Sequence, residues 1–554
     1  MECNLSQLQS FSPFADAVRQ QKYAHPVPDQ NRKEIWEESS ARVVGAVMGA
    51  VPTHRDKVQQ IQDMVTRREF MPGGRYLYAA GRPFHQVQNC LLLKAVDSRE
   101  GWADLCHKAT MALMTGAGIG VVYSDVRPEG SDIHKTGGKA SGPLSLAKML
   151  NELGRYIRQG GDRRSAIWAG LHWNHPDAHK WITAKNWSKE VRALKEKDFN
   201  FPADLDGTNV SIILDTLFFR AYDDTSHPQH ALARSVYWAC IRQMLETGEP
   251  GFSVDCGPNE GENLRNACTE VTSRDDSDIC NLGSINMARI GSLEEMERAV
   301  ELGVMFLLAG TVYSDLPYAK VAETRTKNRR LGLGLMGLHE WLLVRGKKYG
   351  PDPELEEYLK VYAKADFYAE KWAREWGLSV PVKTRAIAPT GTIGIVAETT
   401  TGIEPIFCVA FKRRYMKGEL MAYQYVVDPT AQRLISAGVS PDKIEDAYSL
   451  ARNVERRVAF QAWVQQYVDH SISSTINLPA WGSELNNEGL VQSFGEMLIG
   501  HLPKLRGITV YPDGSRGGQP LTPVRYATAA KHLGEVFFES TDVCELTKGG
   551  SCGA

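Results

Sequence analysis

The stretch Asn266-Ala267-Cys268-Thr269-Glu270 sets an amide, a thiol and a carboxylate at alternating positions. Whether it is extended or forms the tip of a tight loop, a period of two turns all three side chains toward one side. An amide that orients, a thiol that reacts and a carboxylate that takes a proton could then share one substrate. The pattern is short, and its weight comes from what surrounds it.

The chain has 554 residues, 43% of them hydrophobic, enough to bury a large core and too many for a small binding module. A net charge of −2 and a pI near 6.7 argue against a broadly basic nucleic-acid-binding surface. Ten cysteines are scattered without a disulfide framework or a repeated zinc spacing. The start lacks the basic and apolar segments of a signal peptide, and no apolar run approaches the roughly eighteen residues of a membrane span. A reducing cytoplasm with no membrane partner is the expectation, any functional disulfide being transient.

Residues 1–35, with Pro26 and Pro28, read as a loosely ordered arm. Helical patterns follow at Ala41–Gly49 and Asp56–Arg68, and Pro72-Gly73-Gly74 stops the second. Cys90, in QNCLLL, reads locally as a small buried hydrophobe. The GxGxG at 116–120 lacks the flanks of a dinucleotide fingerprint and reads as close strand or turn packing. Two polar, glycine-rich loops come next: SDIHKTGGKASG at 131–142, with Lys135, Gly137, Gly138 and Lys139, and QGGDRRS at 159–165. The second, with Arg158 before it, carries Gly160, Gly161, Asp162, Arg163 and Arg164. Apolar spacing predicts a helix over Leu144–Arg158 between them. The two loops read either as a nucleotide-sensing pair or as ordinary turns around a surface helix. His172, His175 and Asp177 are three ligand types without a partner cluster, in a stretch that Pro176 shapes as a turn, and no metal is assigned. The run Pro389-Thr390-Gly391-Thr392-Ile393-Gly394 reads either as a phosphate cradle before a helix or as a capping turn.

Taken together, QNCLLL, KTGGKASG, QGGDRRSA, NACTE, CNLGSIN, RRLGLGLMGL, APTGTIGIVAETTTGIEP, YVDHSISSTINLP and ITVYPDGSRGGQP occur in order over roughly residues 70–525. With this set the chain resembles the catalytic subunit of the ribonucleotide reductases, most of all the adenosylcobalamin-dependent class II enzymes. The resemblance implies an α/β fold: a ten-stranded α/β barrel of two five-stranded halves around a central finger loop, plus a helical N-terminal region. The implied domains are an N-terminal arm and helical region at 1–70, the catalytic barrel at 71–525 and a C-terminal segment at 526–554.

The resemblance also implies roles. Cys268 would be the thiyl-radical position that removes the 3′-hydrogen of a ribonucleotide, Glu270 the carboxylate that takes the 3′-hydroxyl proton, and Asn266 the amide that positions the hydroxyls. Ala267 and Thr269 stand where the family usually has Pro and Gly. Cys90 and Cys280 match the pair that closes into a disulfide as the 2′-hydroxyl leaves, with Asn281 in the same polar pocket. Pro389–Gly394 matches the substrate phosphate segment, and the two glycine-rich loops match the sites for a deoxynucleotide specificity effector. Cys544 and Cys552 match a redox-shuttle tail served by thioredoxin or glutaredoxin, and a homodimer is expected. Adenosylcobalamin is the implied radical source. The alternatives are a class I subunit fed by a separate radical-generating protein, and a nonenzymatic nucleotide sensor.

Overall fold

A computed structural model describes residues 11–159, 163–198, 201–417, 420–515 and 521–538. Its centre is a ten-stranded sheet. In chain order the strands are β1 (Phe70–Pro72), β2 (Cys90–Lys94), β3 (Gly118–Val122), β4 (Ile167–His172), β5 (Thr208–Asp215) and β6 (Gly251–Asp255). They continue with β7 (Asp278–Asn286), β8 (Leu331–Met336), β9 (Thr475–Leu478) and β10 (Gly507–Pro512).

Strands β2 to β6 run parallel, each to the next. A parallel neighbour needs a crossover, and helices supply it, for example Arg99–Met114 before β3, Gly142–Tyr156 before β4 and His230–Thr247 before β6. Strands β7 and β8 are parallel, as are β9 and β10. Single parallel bridges, Leu333 to Arg385 and Ile387 to Ile472, link β8 through the 385–387 stretch to the chain entering β9. Antiparallel seams join β2 to β7 and β6 to β10. The sheet therefore closes on itself as an α/β barrel. One parallel half is β2–β6, and the other is β7, β8, the 385–387 stretch, β9 and β10. β1 pairs with β7 beyond the end of β2.

Alternation along each strand separates inside from outside. Leu91 and Leu93 pack outward on Leu105, Ala109 and Leu113 of the first crossover helix. Cys90 and Leu92 turn inward with Val122, Trp168, Ile213, Val271, Cys280 and Ala386. Inward glycines make room. A Cβ at Gly120 would collide with the carbonyl of Arg265, and one at Gly118 would lie 3.0 Å from Ala267 Cβ, so the 116–120 motif is a site of close backbone approach. The glycines of RRLGLGLMGL do the same from β8, where a Cβ at Gly332 would lie 3.4 Å from Cys280 Sγ.

From residue 11 onward the N-terminal arm is more ordered than its prolines suggest. Ser12 caps a helix over Pro13–Lys22 by accepting the Ala15 N–H, and Pro13 stands where a helix tolerates proline. Arg19, buried, bonds Asp16 and the Glu34 carbonyl and so ties the arm down. The second crossover helix spans Gly142–Tyr156, against the expected Leu144–Arg158, and leaves Met149 exposed. Residues 521–538 fold onto the barrel's outer hairpin, where Leu521–Pro523 and Val536–Phe538 flank Ala410–Lys417 and Leu420–Val427 in a four-stranded antiparallel sheet. No described helix is long and apolar enough to cross a membrane.

Candidate active site

Residues 264–273 form the finger. Leu264–Arg265 pairs with Thr272–Ser273, and the six residues between them make its tip. The tip is a turn: the Thr269 N–H donates to the Asn266 carbonyl at 3.1 Å, and the Asn266 side-chain oxygen accepts the Val271 N–H at 3.0 Å. Thr269 adopts φ 70°, the left-handed region in which a β-branched residue is strained by about 1 kcal/mol or more. This is where the family pattern has glycine. Asn266 and Glu270 are buried, whereas Cys268 is exposed at the tip.

The strand register sets the other thiols. Cys90 on β2 lies directly opposite Cys280 on β7 across the antiparallel seam. Such a pair has Cα atoms about 4.5–5.5 Å apart with side chains on one face, inside the range a disulfide accepts. Glu270 Oε1 accepts from Cys90 Sγ at 3.9 Å, a distance at which a thiol contact is weak. Burial pushes the Glu270 carboxyl up to about 7, against the opposing hydrogen bonds of Asn266 and Cys90. Its Oε2 has no hydrogen-bond partner among the described residues. Burial also pushes both thiols well above their usual range, and Cys90 further feels Glu270, Cys280 and Cys268. At neutral pH the cysteine pair keeps its hydrogens, and the carboxyl exchanges its own readily.

Asn281 faces the other way. Its amide donates to the Tyr76 hydroxyl and the Leu307 carbonyl, each at 2.7 Å, on the strand face opposite Cys280. The structure therefore keeps its side chain away from the thiols, and only its backbone carbonyl meets one of them, accepting from Cys280 Sγ at 3.2 Å.

From Ala386 in the inner cluster, the chain runs to Pro389 and the turn at Thr390, which has φ 52° and accepts the Gly402 N–H on its hydroxyl at 2.9 Å. A short helix, Gly391–Ala397, starts there. Pro389 and Gly391 are exposed and Thr392 half-buried, whereas Thr390, Ile393 and Gly394 are buried.

The two glycine-rich loops flank the Gly142–Tyr156 helix. In the first, Gly137 and Gly138 take positive φ, Lys135 is exposed and Lys139 pairs with Asp132 at 2.6 Å. In the second, Arg158–Gln159 pairs with Arg163–Arg164, while Gly160, Gly161 and Asp162 lie outside the described residues. Cys544 and Cys552 lie outside them too. His172 pairs with Asp215 at 3.0 Å, and His175 bonds the Val126 carbonyl. That stretch forms a hydrogen-bonded turn.

Sequence reasoning missed the charges at the finger's root. Glu262, Asp278, Arg330 and Lys383 are all buried and in mutual contact. The available signal was a set of single charges bordering apolar strands, such as Arg330 before LGLGLM.

A thiol and a buried carboxyl on one finger inside a closed α/β barrel, next to a facing pair of thiols, define an enzyme that runs shielded chemistry within its barrel. The family model for the ribonucleotide reductase barrel domain matches residues 88–230, 226–371 and 382–510, well over half the chain, and the chain belongs to that family. Among its relatives is the vitamin B12-dependent ribonucleoside-diphosphate reductase of Mycobacterium tuberculosis, 27% identical over 95% of this chain and 80% of the relative. Another is the putative adenosylcobalamin-dependent ribonucleoside-triphosphate reductase of Mycobacterium phage D29, 28% identical over 78% of this chain and 72% of the relative. In fold it is similar to a crystal structure of a B12-dependent class II ribonucleotide reductase, with a TM-score of 0.71 at 15% identity, covering 95% of this chain and 96% of that one.

Proposed function

We propose that this chain reduces ribonucleoside di- or triphosphates to their 2′-deoxy forms by radical chemistry at Cys268, with adenosylcobalamin as the radical source. The observation that carries the reading is the convergence of Cys90 and Cys280 with Glu270 of a finger whose exposed tip is Cys268. Cofactor dependence follows the names of the relatives and fits the tip, where Cys268 alone among the three functional groups is open to a bound group. Cys268 and Thr269 would meet its reactive end. When bound, adenosylcobalamin supplies the one-electron oxidant for the Cys268 thiol.

The chain does the rest. The Cys268 thiyl takes the ribose 3′-hydrogen while Glu270 takes the 3′-hydroxyl proton. The 2′-hydroxyl departs as water with a proton from the Cys90/Cys280 pair. Those two thiols close into a disulfide as their two electrons and second hydrogen go to C2′, Glu270 returns its proton to the 3′-oxygen, and Cys268 returns the hydrogen to C3′. Thr390–Gly394 holds the substrate phosphates on backbone N–H groups and hydroxyls. The 131–142 and 158–164 loops take a deoxynucleotide effector. Exposed Met111, Met114, Met149 and Tyr156 on the two helices beside those loops favour a homodimer there. Thioredoxin or glutaredoxin reopens the disulfide through Cys544 and Cys552.

In an anaerobic single turnover with adenosylcobalamin and no external dithiol, a chain carrying Cys544→Ser and Cys552→Ser, which blocks exchange with the tail, should form about one deoxynucleotide and lose two alkylatable thiols, mapping to Cys90 and Cys280. Product without thiol loss, or full product from Cys90→Ala, would contradict the scheme.

A further inference from the structure

The finger stands on a buried charge cluster that none of the steps above uses. Glu262 precedes its first strand, and Thr272 lies in its second. Lys383 pairs with Glu262, and its ammonium also donates to the Thr272 hydroxyl at 3.0 Å. That hydroxyl donates onward to Glu262 Oε2 at 2.8 Å. Arg330 reaches Glu262 at 3.0 Å and Asp278 at 2.6 Å. Asp278 is two residues from Cys280 on β7, and it also accepts from Ser273 at 2.7 Å. All these groups are at least nine-tenths buried.

His470 completes the cluster without adding charge. Its Nδ1 accepts the Thr272 N–H at 3.1 Å, so the proton of the neutral ring sits on Nε2. Burial, with Lys383, Arg330, Arg265 and Arg385 around it, holds the ring neutral. The next residue, Ser471, donates its N–H to the Glu270 carbonyl at 2.9 Å. Two carboxylates thus face two cations, with Asp278 on the strand that carries Cys280 and Glu262 just before the finger. Lys383 begins the stretch that leads to Ala386 and the phosphate turn.

We propose that Lys383 is a positioning residue for the reaction: by clasping Glu262 and Thr272 across the two sides of the finger's root, its ammonium holds Cys268 and Glu270 in register with Cys90 and Cys280. The inference rests on Cys268 being the reactive thiol. Small displacements matter here, since a misplacement of about 1 Å costs on the order of 10²-fold in rate. The groups facing Lys383 are Glu262 and Thr272 from the finger, Arg330 from the foot of β8, and Asp469 and His470 from the segment before β9. Burial draws the amine down to about 8 against the pull of Glu262. Its proton is therefore lost just above neutral pH, and the clasp loosens with it.

The test compares the full chain with Lys383→Met and Lys383→Arg, measuring kcat and KM anaerobically from neutral pH to about 9.5, alongside thermal unfolding. Folded Lys383→Met should lose about 10²-fold in kcat, with KM for the nucleotide within about twofold. Lys383→Arg should recover most of that loss and move the alkaline fall in kcat up by about a unit or more, because guanidinium keeps its charge. A folded Lys383→Met at parental kcat, or one alkaline limb shared by the parent and Lys383→Arg, overturns the proposal. If Lys383→Met does not fold, the limb comparison still decides. A parent without turnover sinks the activity reading instead, whereas a working parent with an indifferent Lys383→Met sinks only the positioning role.

Discussion

Cys268→Ser is expected to abolish deoxynucleotide formation, by about 10⁴-fold or more, while leaving the fold intact. The two side chains are nearly isosteric, and Cys268 is exposed at the finger tip, so the exchange opens no core cavity. The chemistry differs sharply: sulfur gives up a hydrogen atom in a one-electron step, whereas the stronger O–H bond of serine resists it. Thermal unfolding of the variant should stay within about 1–2 °C of the parent, an exposed site shifting stability by no more than about 0.5 kcal/mol. Turnover at the parental rate would remove Cys268 from the centre of the mechanism.

Glu270→Gln should act in opposite directions on rate and stability. Loss of the proton acceptor lowers kcat by about 10²–10⁴-fold. Stability responds through linkage. The folded carboxyl titrates at about 7 against an ordinary value of 4.5, because burial penalises its charge. Its contribution is thus fully present below about pH 4.5 and is lost as pH rises through about 7. At pH 8 the parent carries a buried charge costing about 3 kcal/mol, which glutamine does not. Denaturant unfolding at pH 5 and pH 8 should show a smaller alkaline loss for the variant than for the parent. Equal pH slopes would mean that Glu270 is not the buried, uncharged-leaning carboxyl described here.

The barrel was legible because its strands coincide with the quoted landmarks. QNCLLL runs into β2, CNLGSIN lies in β7 and LGLGLM is β8. The close packing expected of the 116–120 glycines is against the finger, and Gly332 of LGLGLM leaves room beside Cys280. The cysteine pairing could not be read locally, because it depends on an antiparallel seam between distant strands, and only the resemblance pointed to it. The direction of Asn281 was within reach: if Cys280 faces inward on a strand, its neighbour faces out. Likewise Ser12-Pro13 is a helix start that Pro26 and Pro28 obscured. The root cluster left almost no trace in the sequence, since Glu262, Asp278, Arg330 and Lys383 come from four separate segments. Thr269 was visible as a departure, but its left-handed φ was not.

The central claim, a single chain that reduces ribonucleotides with adenosylcobalamin, is tested most directly by one assay. The purified protein is incubated anaerobically with a ribonucleotide, adenosylcobalamin and a dithiol, with no second protein present. The account predicts 2′-deoxynucleotide that depends on the cofactor. No product despite cofactor binding, or product only after a metal-containing partner is added, would contradict it.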